Sequence, residues 1–172
     1  MDAAQMREHQ LRLIGGNYRT DERTLEVYEF MIGKPNRELA RVLTHFDQTE
    51  GLGHLYYPGQ GLHILPRDTL GVDRVTHLSL DTDYFELFGE GIKVQGDYRT
   101  SPFPDNSFGS TLVWGLTQPS IVEAIDDILR VTKENGLIVV GQSRYFADII
   151  KDRLKRVASP VEEIDVFRNN CS

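Results

Sequence analysis

Glycines and acidic residues follow several apolar segments of this sequence, at the points where β-strands would end. The segment LYYPGQG at 55–61 contains the glycines Gly59 and Gly61. Two later segments, LSLD and KVQGD, end in Asp81 and Asp97. Glycines let a ligand approach the backbone closely, and an acid at a strand end can accept hydrogen bonds from ribose hydroxyls or an exocyclic amine. In this order, these residue types outline a site for a nucleoside.

Each of these signals also has a simpler structural explanation. A GxG pair is common in any tight turn from a strand to a helix, and aspartate is a preferred residue at helix N-caps and turns. Asp81 and Asp97 therefore have two candidate roles each. The stretch PDNS at 104–107 consists of residues that commonly form turns. The order of the signals along the chain carries more weight than any one of them.

Alternating strands and helices are predicted to position these residues. Apolar segments typical of strands lie at 54–61, where the run ends in two glycines, and at 74–81, 92–97, 110–116 and 137–141. Helical spacing of apolar residues covers 119–133 and 145–158, and 161–169 is a candidate last strand. Near-continuous apolar strands separated by helices predict a three-layer α/β sandwich, with a mostly parallel sheet of about six strands and helices on both faces.

The N-terminal part has a helical pattern over residues 21–50. Gly33 and Pro35 are predicted to divide it into two helices, with Asp21 and Asn36 as N-caps. Farther along the chain, the helix over 119–133 is predicted to stop at the Asn-Gly pair that follows it.

Composition and charge limit the possible functions. The 172 residues are 40% hydrophobic and 26% charged, which is typical of one soluble globular domain. A net charge of -7 disfavours nucleic acid as a main partner, because phosphate contacts are made chiefly by Lys and Arg. A local basic patch stays open. The single cysteine, Cys171, and the absence of an apolar signal or membrane-length segment predict a cytoplasmic protein without membrane contact.

Histidines and tyrosines near these strands have both chemical and structural explanations. His63 and His77 are candidate bases or metal ligands, but scattered histidines without HxH or HxxxH spacing predict no metal site. A buried, hydrogen-bonded histidine is the simpler interpretation of His77. Tyr56 and Tyr57 are neighbours on one strand, so we expect them on opposite faces of the sheet.

The loop GDYRTSPFPDNSFG at 96–109 resembles the GDxxxxPFPDxSFD loop of the class I S-adenosylmethionine-dependent methyltransferases, especially those acting on small molecules. RVTKENGLIVV at 130–140 is similar to the RVLKPGG pattern that precedes a hydrophobic strand in that family. The similarity covers roughly residues 52–145. It implies a Rossmann-like fold, S-adenosylmethionine as the cofactor, and methyl transfer to a small-molecule acceptor without a catalytic triad.

The resemblance also implies roles for the residues at the strand ends. Gly59 and Gly61 would lie against the amino-acid end of the cofactor, and Asp81 would bind the ribose hydroxyls. Asp97 would accept a hydrogen bond from the adenine amine, with Tyr98 beside the ring.

The residues after the fourth and fifth strands would face the acceptor. Thr117 and Gln118 would border the methyl-transfer cavity. Arg144 and Tyr145 could reach the acceptor, although a solvated loop is the simpler interpretation. Trp114, inside the fourth strand, is predicted to be a core residue.

The first motif departs from the family pattern. Tyr57 stands where the family has an acid, His63 stands where it has a third glycine, and Pro58 has a fixed φ. Gly109 stands where the family usually has an aspartate. These changes support an alternative hypothesis, a degenerate, non-catalytic methyltransferase-like domain acting as a binding or structural partner. A dinucleotide-binding enzyme ranks lower, because Ile64 occupies the last glycine position of its GxGxxG fingerprint.

The sequence therefore predicts a single methyltransferase-like domain over residues 1–172. Its parts would be a helical N-terminal cap at 1–50, a Rossmann-like core at 52–145, and a C-terminal helix and strand at 146–172. The expected partner is a small-molecule substrate, and association with a second copy or another protein stays open.

Overall fold

The computed structural model describes residues 34–59, 69–80, 91–115 and 120–170. These residues form a seven-stranded sheet with helices packed against it. In chain order the elements are α1 (Lys34–Thr49), β1 (Leu55–Pro58), β2 (Val75–Ser79), β3 (Ile92–Gln95), β4 (Phe108–Trp114), α2 (Ser120–Val131), β5 (Thr132–Gly141), α3 (Arg144–Ile150), β6 (Lys155–Val157) and β7 (Ile164–Arg168).

The sheet has the strand order β3-β2-β1-β4-β5-β7-β6. Neighbouring strands from β3 to β5 pair in parallel, whereas β7 pairs antiparallel with both β5 and β6. Within the sheet, the chain enters at β1 in the middle, runs outward to β3, and then crosses back to β4 on the other side of β1. The order therefore reverses between β1 and β4, and such a switch point opens a crevice at the carboxyl ends of the strands.

Helices cover both faces of the sheet, as the apolar pattern predicts. Leu39, Val42, Leu43 and Phe46 form the buried face of α1, and they share one hydrophobic cluster with Tyr57 of β1. The clusters on the other face are built by α2 and α3 and by alternate strand residues, among them Tyr56, Val113 and Ile138. Tyr56 and Tyr57 thus lie on opposite faces, which confirms the expectation from strand alternation. None of the helices in the described ranges is long and apolar enough to cross a membrane.

Helix α1 begins earlier than the capping pattern predicts. Lys34 is its first residue, so Asn36 lies inside the first turn and the prediction of Asn36 as N-cap is wrong. Proline suits the first turn of a helix because its missing N–H has no intrahelical partner there, so Pro35 does not break the helix. The predicted helix before Gly33 lies outside the described residues.

Two boundaries near the C-terminus also differ from the prediction. The helix predicted over 145–158 ends at Ile150, and Lys155–Val157 forms the edge strand β6. Pairing with β7 satisfies the backbone of these residues, and it raises the strand number from about six to seven. Helix α2 ends at Val131 rather than at the Asn-Gly pair, and Asn135, with φ 63°, lies where the β4–β5 register shifts.

Trp114 and Gly141 make a close contact across β4 and β5. The two residues are directly paired, and Trp114 is only 5% exposed. A Cβ added at Gly141 would overlap ring atoms Cζ3 and Cε3 of Trp114 and would lie 2.9 Å from Cη2. The indole therefore rests directly on the backbone of β5, at the edge of the sheet where the parallel strands end.

Candidate functional site

The carboxyl ends of β1 and β3 bring a glycine and an acid to the same edge of the sheet. Gly59 follows β1, and its N–H donates to Leu78 O at 2.9 Å. Gly96 follows β3, and its N–H donates to Ser79 O at 3.0 Å, which places Asp97 directly beyond the strand. Both loops are therefore anchored to β2, the strand that lies between β1 and β3. Of the residues predicted for the cofactor, Gly61, Asp81 and Thr117 lie outside the described residues, as do Gln118, His63 and Ile64.

Gly59 allows the chain to turn sharply where β1 ends. Its φ is 59°, in the left-handed region that glycine adopts without steric cost. Because its N–H is already bonded to β2, Gly59 offers a ligand close approach to the backbone rather than a hydrogen-bond donor. Close approach of a ligand to the backbone is the property that the sequence predicts for this glycine turn.

Asp97 is held by the arginine two residues later. Its Oδ1 accepts from Arg99 N and from Arg99 Nε, both at 2.9 Å, and its Oδ2 accepts from Arg99 Nη2 at 2.5 Å. Arg99 Nη1 also donates to Glu123 Oε2 at 2.9 Å, which links the loop to α2. Asp97 therefore acts as a turn former, the simpler of its two predicted roles.

The Asp97 carboxylate has the chemistry needed for an adenine amine. The pKa of Asp97 lies below its usual value, mainly because Arg99 donates hydrogen bonds to the carboxylate. The Asp97 carboxylate is therefore a hydrogen-bond acceptor at neutral pH. Its side chain is 26% exposed, so a ligand can reach it. A carboxylate has about four lone-pair positions, and Arg99 makes four hydrogen bonds to this one. A bound amine would therefore take the place of one Arg99 hydrogen bond.

Tyr98 has a packing role in addition to its predicted position beside an adenine ring. The side chain is half-buried and contacts two hydrophobic clusters on the α2 side of the sheet, one of them containing Leu78 and Phe108. This contact fixes the start of the loop against the core. Its proposed contact with an adenine ring stays a prediction.

A buried ionic network holds the rest of the PFPDNSF loop against α2. Asp127, which is 8% exposed, accepts from Ser101 N at 3.1 Å and from Ser101 Oγ at 2.5 Å. Arg130 donates to Asp127 Oδ1 at 2.6 Å, to Phe103 O at 2.7 Å and to Asp105 Oδ1 at 2.8 Å. The loop that carries Asp97 is thus tied to α2 both near its start, through Arg99, and farther along, through Ser101, Phe103 and Asp105.

Aromatic rings fill the space beneath this loop. The Tyr56 ring stacks on Phe108, with centroids 4.8 Å apart, and Phe103 packs edge-on against both rings. Burial is the largest cause that raises the pKa of the Tyr56 hydroxyl, so it stays protonated. Tyr56 is therefore a core residue that supports the loop.

No protein-family model matches the sequence, and no curated protein has significant sequence similarity to it. The fold, in contrast, matches known structures. An S-adenosylmethionine-dependent methyltransferase from Thermotoga maritima superposes with a TM-score of 0.54 at 12% identity, covering 96% of this chain and 100% of that one. The N-methyltransferase NodS from Bradyrhizobium japonicum gives 0.52 at 14% identity, covering 79% and 97%. This chain has the class I methyltransferase fold.

Other matches agree with that fold. A Haloferax volcanii protein solved in complex with the Trm112 methyltransferase activator has a TM-score of 0.53 at 12% identity, over 90% of this chain and 100% of the other. The chain spans less than half the length of two further solved structures, 43% of the [4+2]-cyclase SpnF and 48% of a Bacillus halodurans protein.

Two departures from the methyltransferase sequence pattern have structural reasons. Tyr57, in the place of the family's acid, is fully buried in the cluster with α1, and burial raises its pKa well above the usual value. Gly109, in the place of an aspartate, lies so close to the preceding loop that an added Cβ would be 2.5 Å from Leu52 O. Both positions are thus closely packed in this chain.

The remaining candidates lie apart from this site. His77 is 2% exposed, and burial, with the nearby charge of Lys93, lowers its pKa to about 4. It is therefore a neutral residue at physiological pH, and its burial agrees with the simpler interpretation. In the part of the chain that the structure describes, no group of three or more His, Cys, Asp or Glu residues could hold a metal ion. Tyr145 is 42% exposed in the first turn of α3.

The sequence predicted the position of Asp97 after a strand but not the residues that hold its loop. Asp127 and Arg130 are three residues apart on α2, which places them on one helix face. The signal that could have found them is Asp127 itself, a carboxylate in the middle of an apolar helical stripe. Such a position requires a partner, because a buried charge is stable only when it is paired and hydrogen-bonded.

Proposed function

We propose that this protein is an S-adenosylmethionine-dependent methyltransferase acting on a small-molecule acceptor. The observation that carries the proposal is the placement of Gly59 and Asp97 beyond the carboxyl ends of β1 and β3, at the same end of the sheet as the switch point between β1 and β4. Ligands in open parallel sheets bind at such a switch point. The similarity in fold to S-adenosylmethionine-dependent methyltransferases supports the choice of cofactor.

In this proposal, each predicted residue holds one part of the cofactor. Asp97 accepts from the adenine amine, Tyr98 lies beside the ring, and Gly59 gives the amino-acid end access to the backbone. Gly61 and Asp81 add the second glycine of the turn and the acceptor for the ribose hydroxyls.

When bound, S-adenosylmethionine supplies a methyl group on a good, neutral leaving group. The protein then needs mainly to align the acceptor with that methyl group and to exclude water, and alignment of this kind can supply a large part of a rate enhancement. We assign Thr117 and Gln118, which follow β4 in the sequence, to the border of the methyl-transfer cavity.

Calorimetric titration with S-adenosylhomocysteine tests the proposal. We expect saturable binding by the unchanged protein and affinity about tenfold lower for Asp97→Ala, because a hydrogen bond to a charged acceptor is lost. Asp126→Ala is the matched control, since it removes a carboxylate outside the loop, one that is 86% exposed and pairs with Arg153. Absence of binding by the unchanged protein would count decisively against the proposal.

The same titration with an Arg99→Ala variant gives a second test. It releases the Asp97 carboxylate from its arginine, so an adenine amine would no longer have to displace a hydrogen bond. We expect S-adenosylhomocysteine to bind more tightly to this variant than to the unchanged protein. Weaker binding would show that Arg99 supports the ligand instead of competing with it.

A further inference from the structure

A cavity of about 470 Å³ lies beside the proposed cofactor site, at the carboxyl ends of β4 and β5. Trp114, the last residue of β4, and Gln142, the first residue after β5, line it. Its volume is in the range of pockets for small ligands, about 300–1,000 Å³. Because β4 is next to β1, the cavity opens at the same edge of the sheet as Gly59.

The cavity combines an apolar wall with carboxylates. Trp114, Ile164 at the start of β7, and Pro35 at the start of α1 supply apolar surface. Glu38 and Glu163 supply the carboxylates. An apolar wall with a few placed polar groups is the usual composition of a site for a small organic molecule.

The charges in the cavity favour a cation. Lys34 is the one basic residue in the described lining, and it lies 3.5 Å from Glu38 with its own side chain 58% exposed. A pair at this distance and exposure is weak, so a ligand can replace Lys34 at Glu38. Glu163 forms no ion pair with any residue in the described ranges. The lining thus holds two carboxylates against one ammonium group.

We infer that this cavity binds an organic ammonium with an apolar body, the methyl acceptor of the proposed reaction. The ammonium lies between Glu38 and Glu163, and the apolar body lies against Trp114 and Ile164. The role as acceptor site rests on the proposed methyltransferase function, whereas the binding itself does not require the cofactor.

Methyl transfer from the proposed cofactor to an amine balances in atoms and electrons. The ammonium first loses one proton to water, which restores the lone pair on nitrogen. That lone pair forms the new bond to the sulfonium methyl carbon. The electron pair of the carbon–sulfur bond stays on sulfur, and the products are a methylated ammonium and a neutral thioether.

The emission of Trp114 reports directly on this cavity, because it is the only tryptophan in the chain. Phenethylamine is a suitable probe, since it joins an ammonium to an apolar ring. We expect a saturable change in Trp114 fluorescence, with a Kd of about 1 mM for so small a ligand. Phenethyl alcohol and 3-phenylpropionate, the neutral and anionic analogues, should bind at least about fivefold more weakly.

Charge-neutral variants locate the ammonium. Glu38→Gln and Glu163→Gln should each weaken phenethylamine binding about fivefold, as expected for loss of one partly exposed ion pair. Glu162→Gln is the matched control, because it is an exposed neighbour outside the cavity lining and should bind like the unchanged protein. Glu163 is exposed as well, so that variant is expected to fold normally.

Several results would overturn the inference. They are the absence of a saturable change with phenethylamine up to about 20 mM, equal binding of the neutral analogue, and equal weakening by Glu162→Gln. Failure here is separate from failure of the proposed function. S-adenosylhomocysteine binding without amine binding would refute the cavity assignment alone. The reverse result would refute the cofactor site and the role as acceptor site, and it would leave the ammonium site itself standing.

Discussion

Asp127→Ala is expected to lower the free energy of unfolding by about 2–3 kcal/mol, because it breaks a largely buried charged network. The carboxylate accepts from Ser101 and from Arg130, and its loss leaves both donors without that partner. The variant should also bind S-adenosylhomocysteine more weakly, since the same network fixes the loop that carries Asp97. Denaturant titration gives the first result and calorimetry the second.

Asp126→Ala is the matched control for this prediction. Asp126 is the preceding residue of α2, is 86% exposed and pairs with Arg153 at the surface. We expect this change to cost less than about 0.5 kcal/mol, since exposed ion pairs contribute little. Equal destabilisation by the two variants would show that the loop is not held by the buried network.

Gly141→Ala is expected to lower the free energy of unfolding by about 3 kcal/mol, at the upper end of the range for overpacking in a core. The new methyl group would occupy the position of the Trp114 ring, which is 5% exposed and packed between α1 and the sheet. The ring would have to leave its packed position to make room for the methyl group. Thermal or chemical unfolding, followed by circular dichroism, measures the change.

A double-mutant cycle shows whether the cause is the indole ring. In a Trp114→Leu background the space above Gly141 is larger, so Gly141→Ala should cost at least about 1 kcal/mol less than it does in the unchanged protein. The same cost in both backgrounds would contradict the contact with the ring. It would also remove the reason for a fixed Trp114 in the wall of the cavity.

The sequence predicted those features that depend on local patterns. Apolar runs located β1, β2, β3 and β5, and helical spacing located the buried face of α1. The position of Asp97 followed from a short motif in which an acid comes directly after a strand. Each of these signals is contained within a few neighbouring residues.

The features that the sequence did not predict depend on contacts between distant parts of the chain. Strand β6 exists because Lys155–Val157 pairs with β7, although the same residues continue a helical pattern. The partner of Asp127 could not be predicted, because Ser101 lies 26 positions earlier and reaches Asp127 only when the loop packs against α2. Gly109 is required by the approach of Leu52, a residue more than fifty positions earlier.

Amide chemical-shift mapping with S-adenosylhomocysteine tests the central claim most directly, because it locates the ligand on the sheet. The account predicts the largest shifts at Gly59, Gly96, Asp97 and Tyr98, beyond the ends of β1 and β3. The amides of Gly53 and Gly136, at the opposite edge, should change little. Shifts centred on that opposite edge, or no shifts at saturating ligand, would contradict a cofactor site at Gly59 and Asp97.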